Sequence, residues 1–265
     1  MKLLIIIFSL LLLSSCDNGK SLTALCKENT QICQEFGQDN WCKKERNSVS
    51  LARIDLKATN KDEHKYKVLV AYEDYVQCMG LASQIQHIKL KEKTTMRKNN
   101  LFKAEEKLAS LSDQTVNSSH PHLLYYHWSR HLNKDSLGQF LKLEGSAALE
   151  NSLSQFQLAT YYAKKNKNKT LRLLFRALEL HQPNEELIPE VFQTLATIFT
   201  NQDKPKQAYI WLKTYHLVTT KHNKQIEKQL KQYQNAYALD GDFLDKVASN
   251  TLTKINSGEF KTPTY

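Results

Sequence analysis

The sequence predicts an all-α protein: a helical-hairpin array preceded by a disulfide-stapled helical region that contains one long helix. Glycine and proline number only 7 and 5 in 265 residues, too few for the many turns of a β-sandwich or barrel. Leu, Lys, Gln, Glu and Ala dominate the chain, and all are good helix formers. Apolar residues also recur at steps of three and four, the spacing that lines one face of a helix.

The first element is a leader. Lys2 precedes an apolar run over residues 3–13, broken only by Ser9. A helix needs about 20 apolar residues to span a bilayer, so the run fits a secretory signal peptide over residues 1–15. Its end, Leu13-Ser14-Ser15-Cys16, resembles the lipobox of bacterial lipoprotein precursors. That resemblance implies cleavage before Cys16, a diacylglyceryl thioether on its thiol and acylation, as by palmitate, of the freed amine. One acyl chain binds a membrane marginally, whereas two or three hold firmly. Residues 16–20 would then form a lipidated tether. Asp17 and Asn18 resemble the signal that keeps enterobacterial lipoproteins on the periplasmic face of the inner membrane; the outer membrane is the alternative.

Charge narrows the partners. The 37 Lys and Arg outnumber 27 Asp and Glu, a net charge of +10 that falls by one when Lys2 leaves with the leader. In a cytosolic chain this balance would suggest nucleic acid, and export removes that partner. Phospholipid head groups, lipopolysaccharide, cell-wall polymers and acidic proteins remain, beside the plain reading of a solvated basic surface.

Residues 21–112 form the Cys-containing helical region. Cys26, Cys33, Cys42 and Cys78 are an even number in an oxidising compartment and lack the C-x-x-C spacing of a redox or zinc site. Three pairings are open; Cys26–Cys33 closing a short loop, with Cys42–Cys78 stapling this segment to the long helix, is the favoured one. Residues 21–41 hold brief helical turns, with Leu22, Leu25 and Ile32 packing beneath the cysteines. Residues 49–58 read as a short helix, and Asn60-Lys61-Asp62 as its turn. A long helical pattern follows over residues 63–111, with a bend near 94–100. Val68, Tyr72, Tyr75, Met79 and Ala82 form its apolar face, and Ile85, Ile88, Leu101, Leu108 and Leu111 continue it. Seven Lys or Arg between Lys89 and Lys107 suit either an anionic membrane surface or a solvated helix face.

A polar stretch over 112–120 marks a boundary, and Pro121 suits the first turn of a helix. Residues 120–256 then repeat. Tyr125, Trp128, Leu137 and Leu141 are spaced by 3, 9 and 4. The same steps return in Ala159, Tyr162, Leu171 and Phe175, and again in Ala196, Phe199, Ala208 and Leu212. The spacing resembles the tetratricopeptide repeat, a helix–turn–helix unit whose apolar face is buried by stacking on its neighbours. The third set fits best; Leu171, Tyr125 and Leu137 stand where small residues are expected. A helix over 223–239, a stop and N-cap at Asp240-Gly241-Asp242, and a last helix over 243–255 close the array. Residues 257–265 read as a loose tail.

Catalytic chemistry is sparse. His120, His122, His127 and His131 lie within twelve residues, and His127 and His131 share a helix face. A zinc hydrolase would carry Glu after the first of that pair, where Trp128 stands. Glu185, Glu186 and Glu190 suit a helix N-terminus, where the dipole favours carboxylates. No glycine-rich phosphate loop or nucleophile elbow occurs, and no enzyme activity, metal or cofactor is expected. Tyr126, His127 and Arg130 are the candidate binding surface, with Tyr125 and Trp128 as core. A concave face of this kind takes peptides or partner helices.

Asp39-Asn40-Trp41-Cys42, the stretch from Ile85 through Lys93, Leu123-Leu124-Tyr125-Tyr126-His127-Trp128-Ser129-Arg130 and Ala208-Tyr209-Ile210-Trp211 resemble an uncharacterised family of gammaproteobacterial lipoproteins, a domain of unknown function. The resemblance implies lipidation and helical repeats, and no activity. The expected function is a lipid-anchored periplasmic scaffold or adaptor that binds a peptide or envelope protein without catalysis. The alternative is an envelope hydrolase or ligand carrier built on the histidine cluster.

Overall fold

The structure, a computed structural model, describes residues 21–183, 185–219 and 223–263. The expected leader and tether, with Cys16, Asp17 and Asn18, lie outside the described residues. Among the described residues there are thirteen α-helices, one 3-10 turn and no strand. No helix among them is long and apolar enough to cross a membrane. The chain divides between Asn117 and Ser118 into two compact units.

The first unit holds α1 (Leu22–Glu28), α2 (Thr30–Cys33), α3 (Lys43–Thr59), α4 (Asp62–Ser83) and α5 (Lys91–Thr115). Cys26 pairs with Cys33 and Cys42 with Cys78, the favoured connectivity. The helix expected over 49–58 is longer and begins directly after Cys42, so the second disulfide ties the start of α3 to α4. Asn60 ends α3 in the left-handed conformation (φ 49°), which asparagine tolerates better than most residues. Val68, Tyr72, Tyr75, Met79 and Ala82 are all buried, and Phe36 sets its ring 4.9 Å from that of Tyr75. Burial pushes the Tyr75 hydroxyl up to about 12.

The long pattern over 63–111 is two helices rather than one bent helix. The break falls at 84–90, not at 94–100, and α4 and α5 pack as a hairpin. Thr94 stabilises the turn from within the first turns of α5. Its hydroxyl accepts from the His87 N–H (3.1 Å) and donates to the Ile85 carbonyl (3.4 Å). Residues 94–100 stay helical because Arg97 and Asn100 are buried there with long-range partners. Ile88, expected on the apolar face, is 90% exposed in the turn.

The second unit holds α6 (Pro121–His131), α7 (Lys134–Lys142), α8 (Ser152–Tyr162), α9 (Lys167–Glu179), α10 (Pro189–Thr200), α11 (Pro205–Val218), α12 (Lys224–Tyr237) and α13 (Gly241–Asn256). Proline opens α6, α10 and α11, where its missing N–H costs no helix bond. Asn133, Asn151 and Asn166 cap α7, α8 and α9, each accepting from the N–H three residues on, a contribution of about 1 kcal/mol per cap.

Helices α6 and α7, α8 and α9, and α10 and α11 pack as successive hairpins, and α12 and α13 both pack on α11. Each set of residues spaced by 3, 9 and 4 falls on one hairpin, two on its first helix and two on its second. In the third hairpin all four are buried; in the first all four are half-buried. One core joins α9, α10, α11, α12 and α13 around Phe175, Phe192, Phe199 and Trp211, and a smaller one gathers Leu124, Phe140, Leu149 and Leu158.

The tail expected to be loose is docked as far as it is described. After Ser257 the chain reverses through Gly258 (φ 71°). The Gly258 N–H donates to the Ile255 carbonyl (3.0 Å) and the Glu259 N–H to that of Lys254 (2.8 Å). This pair of bonds ends a helix in a Schellman motif, whose left-handed position favours glycine. Phe260 is then buried, its ring 6.4 Å from that of Phe175 and 6.3 Å from that of Trp211.

Candidate binding surface

The sequence-derived surface is not a surface. Tyr126 and His127 are 3% and 2% exposed, because they stand at i+3 and i+4 from the buried Leu123 and turn inward on the same stripe. Arg130 is exposed, its guanidinium 6.0 Å over the Tyr126 ring. Tyr125 and Trp128, expected in the core, are half-buried. They form an aromatic ladder between hairpins: Phe140 to Tyr125 (5.7 Å), Tyr125 to Trp128 (5.5 Å) and Trp128 to Tyr161 (5.4 Å).

The four histidines form two pairs. His120 and His122 have rings 5.2 Å apart, and His127 and His131 5.7 Å; His122 Nδ1 lies 3.0 Å from Gln157 Oε1. Among the described residues, one group of three candidate ligands brings its donor atoms within 4.8 Å of one another: Cys42, Glu45 and Cys78. Both of its sulfurs are committed to a disulfide, so this group does not fit a metal.

One residue of the stretches that carried the family resemblance, Asp39, belongs to a buried ion pair in the first unit. Asp39 and Arg97 have side chains only 2% exposed and form a salt bridge through Arg97 Nε. Arg97 Nη1 also donates to the Ala82 carbonyl (3.1 Å), and the Trp41 N–H to Asp39 Oδ1 (3.1 Å). The hydrogen bond from Arg97 outweighs burial and holds the Asp39 carboxyl at about 2. Arg97 therefore does not belong to the basic outer face read from 89–107. One turn on, Asn100 accepts from the Gly37 N–H (2.9 Å) and donates to the Gly37 carbonyl (2.8 Å). These contacts key one segment to another and leave no reactive group.

A better-formed surface lies on α9. Thr170, Leu174, Phe175, Ala177 and Leu178 turn inward, leaving Lys169, Arg172, Leu173 and Arg176 as the outer stripe at helical spacing. They border an open cleft of about 450 Å³ that also meets Glu150, Glu179 and Thr262. Lys169 pairs with Glu144 and lies 3.8 Å over the Tyr162 ring. Arg176 bridges Glu150 (2.7 Å) and Glu179 (3.1 Å). Arg172 is exposed and has no carboxylate partner among the described residues. Leu173 beside it is half-buried against both cores of the unit and lines the cleft with its apolar edge.

At the edge of this cleft the tail closes its own contact. The Thr262 N–H and hydroxyl both donate to Glu179 Oε1, at 2.9 and 2.6 Å. Burial alone would raise Glu179; the bonds from Thr262 and Arg176 hold it below the ordinary glutamate value. The second unit thus seats its own tail by an aromatic anchor, Phe260, and a carboxylate that accepts from main chain and hydroxyl. The sequence missed this site because the tail is short and polar. The available signals were Gly258 at a helix end and one phenylalanine two residues on.

No curated protein matches the chain, and no solved structure does. The profile of a family described as "Protein of unknown function (DUF2989)" matches residues 13–213, and the chain belongs to that family.

Proposed function

We propose that the chain is a lipid-anchored, non-catalytic scaffold or adaptor that holds a peptide segment of an envelope protein against its helical hairpins. The observation that carries this reading is the seat of the tail: Phe260 between Phe175 and Trp211, and Thr262 on Glu179. A surface that takes one peptide in this way has the chemistry to take another alongside it. Arg172 and Leu173 offer the next contacts, suited to a segment with an acidic and an apolar side chain. We read the three hairpins as degenerate tetratricopeptide-like units, on the support of their shared 3, 9 and 4 spacing. Cys16 is the acyl anchor to the membrane, and Asp17 and Asn18 retain the protein on the periplasmic face of the inner membrane. The alternative hydrolase or carrier would need the imidazoles of His120, His122 and His127 to converge, whereas His120 stands beside His122 and His127 beside His131.

A photoreactive residue replacing Leu173 in the full chain, irradiated in membranes, tests the reading. The expected result is a reproducible protein adduct that disappears with Arg172→Glu and is absent when the probe replaces exposed Asn235 on α12. Absence of an adduct at 173, or the same adduct at 235, would overturn it. Labelled palmitate separately tests the anchor, with incorporation expected into the native chain and not into Cys16→Ser.

A further inference from the structure

The turn between α4 and α5 displays apolar side chains that the fold does not use. Ile88 is 90% exposed and Leu90 51%. Trp41 is 58% exposed, and it belongs to the same end of the unit, because Arg97 ties three parts together. Its guanidinium lies 5.4 Å over the indole and donates to the Ala82 carbonyl, just before the turn. Lys93, three residues after Leu90, lies 3.7 Å from Asp39 Oδ1, which also accepts from the Trp41 N–H. The turn is held in this form by the two Thr94 hydrogen bonds, so the exposed side chains are kept outward.

Ile88 and Leu90 alternate with Lys89 and Lys91, all four are exposed, and neither lysine has a carboxylate partner among the described residues. We infer that this turn, with Trp41, is a contact surface for an anionic phospholipid bilayer. The pattern favours lipid over a protein partner for a physical reason. Closing a protein interface over Lys89 and Lys91 would strip water from both ammonium groups, and interface cores are depleted in lysine. At an anionic bilayer the ammonium groups stay among hydrated phosphates while their apolar neighbours reach the acyl boundary. Tryptophan favours that same level. The inference concerns the first unit alone and does not depend on the peptide-binding reading of the second.

The test uses the full chain with vesicles whose phospholipids carry brominated acyl chains, either phosphatidylglycerol mixed with phosphatidylethanolamine or phosphatidylcholine alone. Tryptophan emission is read against a Trp41→Phe baseline, so that the Trp41 component is isolated. Quenching of that component is expected on the anionic vesicles and not on the neutral ones, and it should fade as salt shortens the screening length. It should be lost in Ile88→Ser/Leu90→Ser and in Lys89→Gln/Lys91→Gln; because these side chains are exposed, unchanged circular dichroism is expected for both. An N-terminal tether alone would quench native and variant chains equally on both lipids, and that outcome overturns the proposal. So does the absence of quenching on anionic vesicles, or shielding of Trp41 that arises only when a protein is added.

Discussion

Asp39 and Arg97 are 58 residues apart in sequence and pair out of water. A buried charge left without its partner is costly, so Arg97→Met is expected to lower stability by about 3–5 kcal/mol in urea unfolding. The pair also fixes a pH dependence. The folded value of Asp39, about 2, lies below the roughly 3.9 of an unfolded aspartate. Its stabilisation is therefore complete above that unfolded value and fades as pH falls towards 2. Asp39→Asn should flatten this part of the acid-unfolding curve, and an unchanged curve would show that other carboxylates dominate it. None of this was legible beforehand. Asp39 stood out only as part of a recognisable stretch, and Arg97 only as one of several cations, because nothing local to either announces its partner.

The two disulfides differ in the chain they close. Cys42–Cys78 spans a separation of 36 residues and Cys26–Cys33 one of 7. Loop-closure entropy gives the longer staple about 4 kcal/mol and the shorter about 2. Replacing Cys42 and Cys78 together by serine should therefore cost more than replacing Cys26 and Cys33, as read by the shift in denaturation midpoint. At the other end of the chain, Phe260→Ala should cost about 3–5 kcal/mol, the usual loss for a buried phenylalanine. The Glu179 contact adds a pH-sensitive clasp. Since its folded value is depressed, the clasp is complete above the ordinary glutamate range and weakens as pH falls through the lowered value. Amide exchange at Thr262, corrected for its intrinsic pH dependence, should lose protection over that acid window, and Glu179→Gln should reduce the protection at neutral pH. Elements of this kind were partly visible: Pro121 marked a helix start correctly, while the turn at 84–90 lacks glycine and proline and was displaced by about ten residues.

For the molecule as a whole, the all-helical class, the hairpins and the Cys-rich region were legible, because each follows from composition and from short-range spacing. Tyr126 and His127 show where that reasoning stops. Periodicity states which residues share a stripe, but not whether the stripe meets solvent or another helix. The same limit explains the tail, whose single phenylalanine has no periodic company yet fills a gap between Phe175 and Trp211. Amino acids a few positions apart already encode the helix formers, the caps, the 3, 9 and 4 spacing and the outer stripe of α9. The partner of Arg97, the burial of Tyr126, the docking of Phe260 and the exposure of Ile88 became definite only once distant segments had packed. A helix sets the direction of its side chains through local hydrogen bonds, whereas what those side chains meet depends on parts of the chain that folding alone brings close.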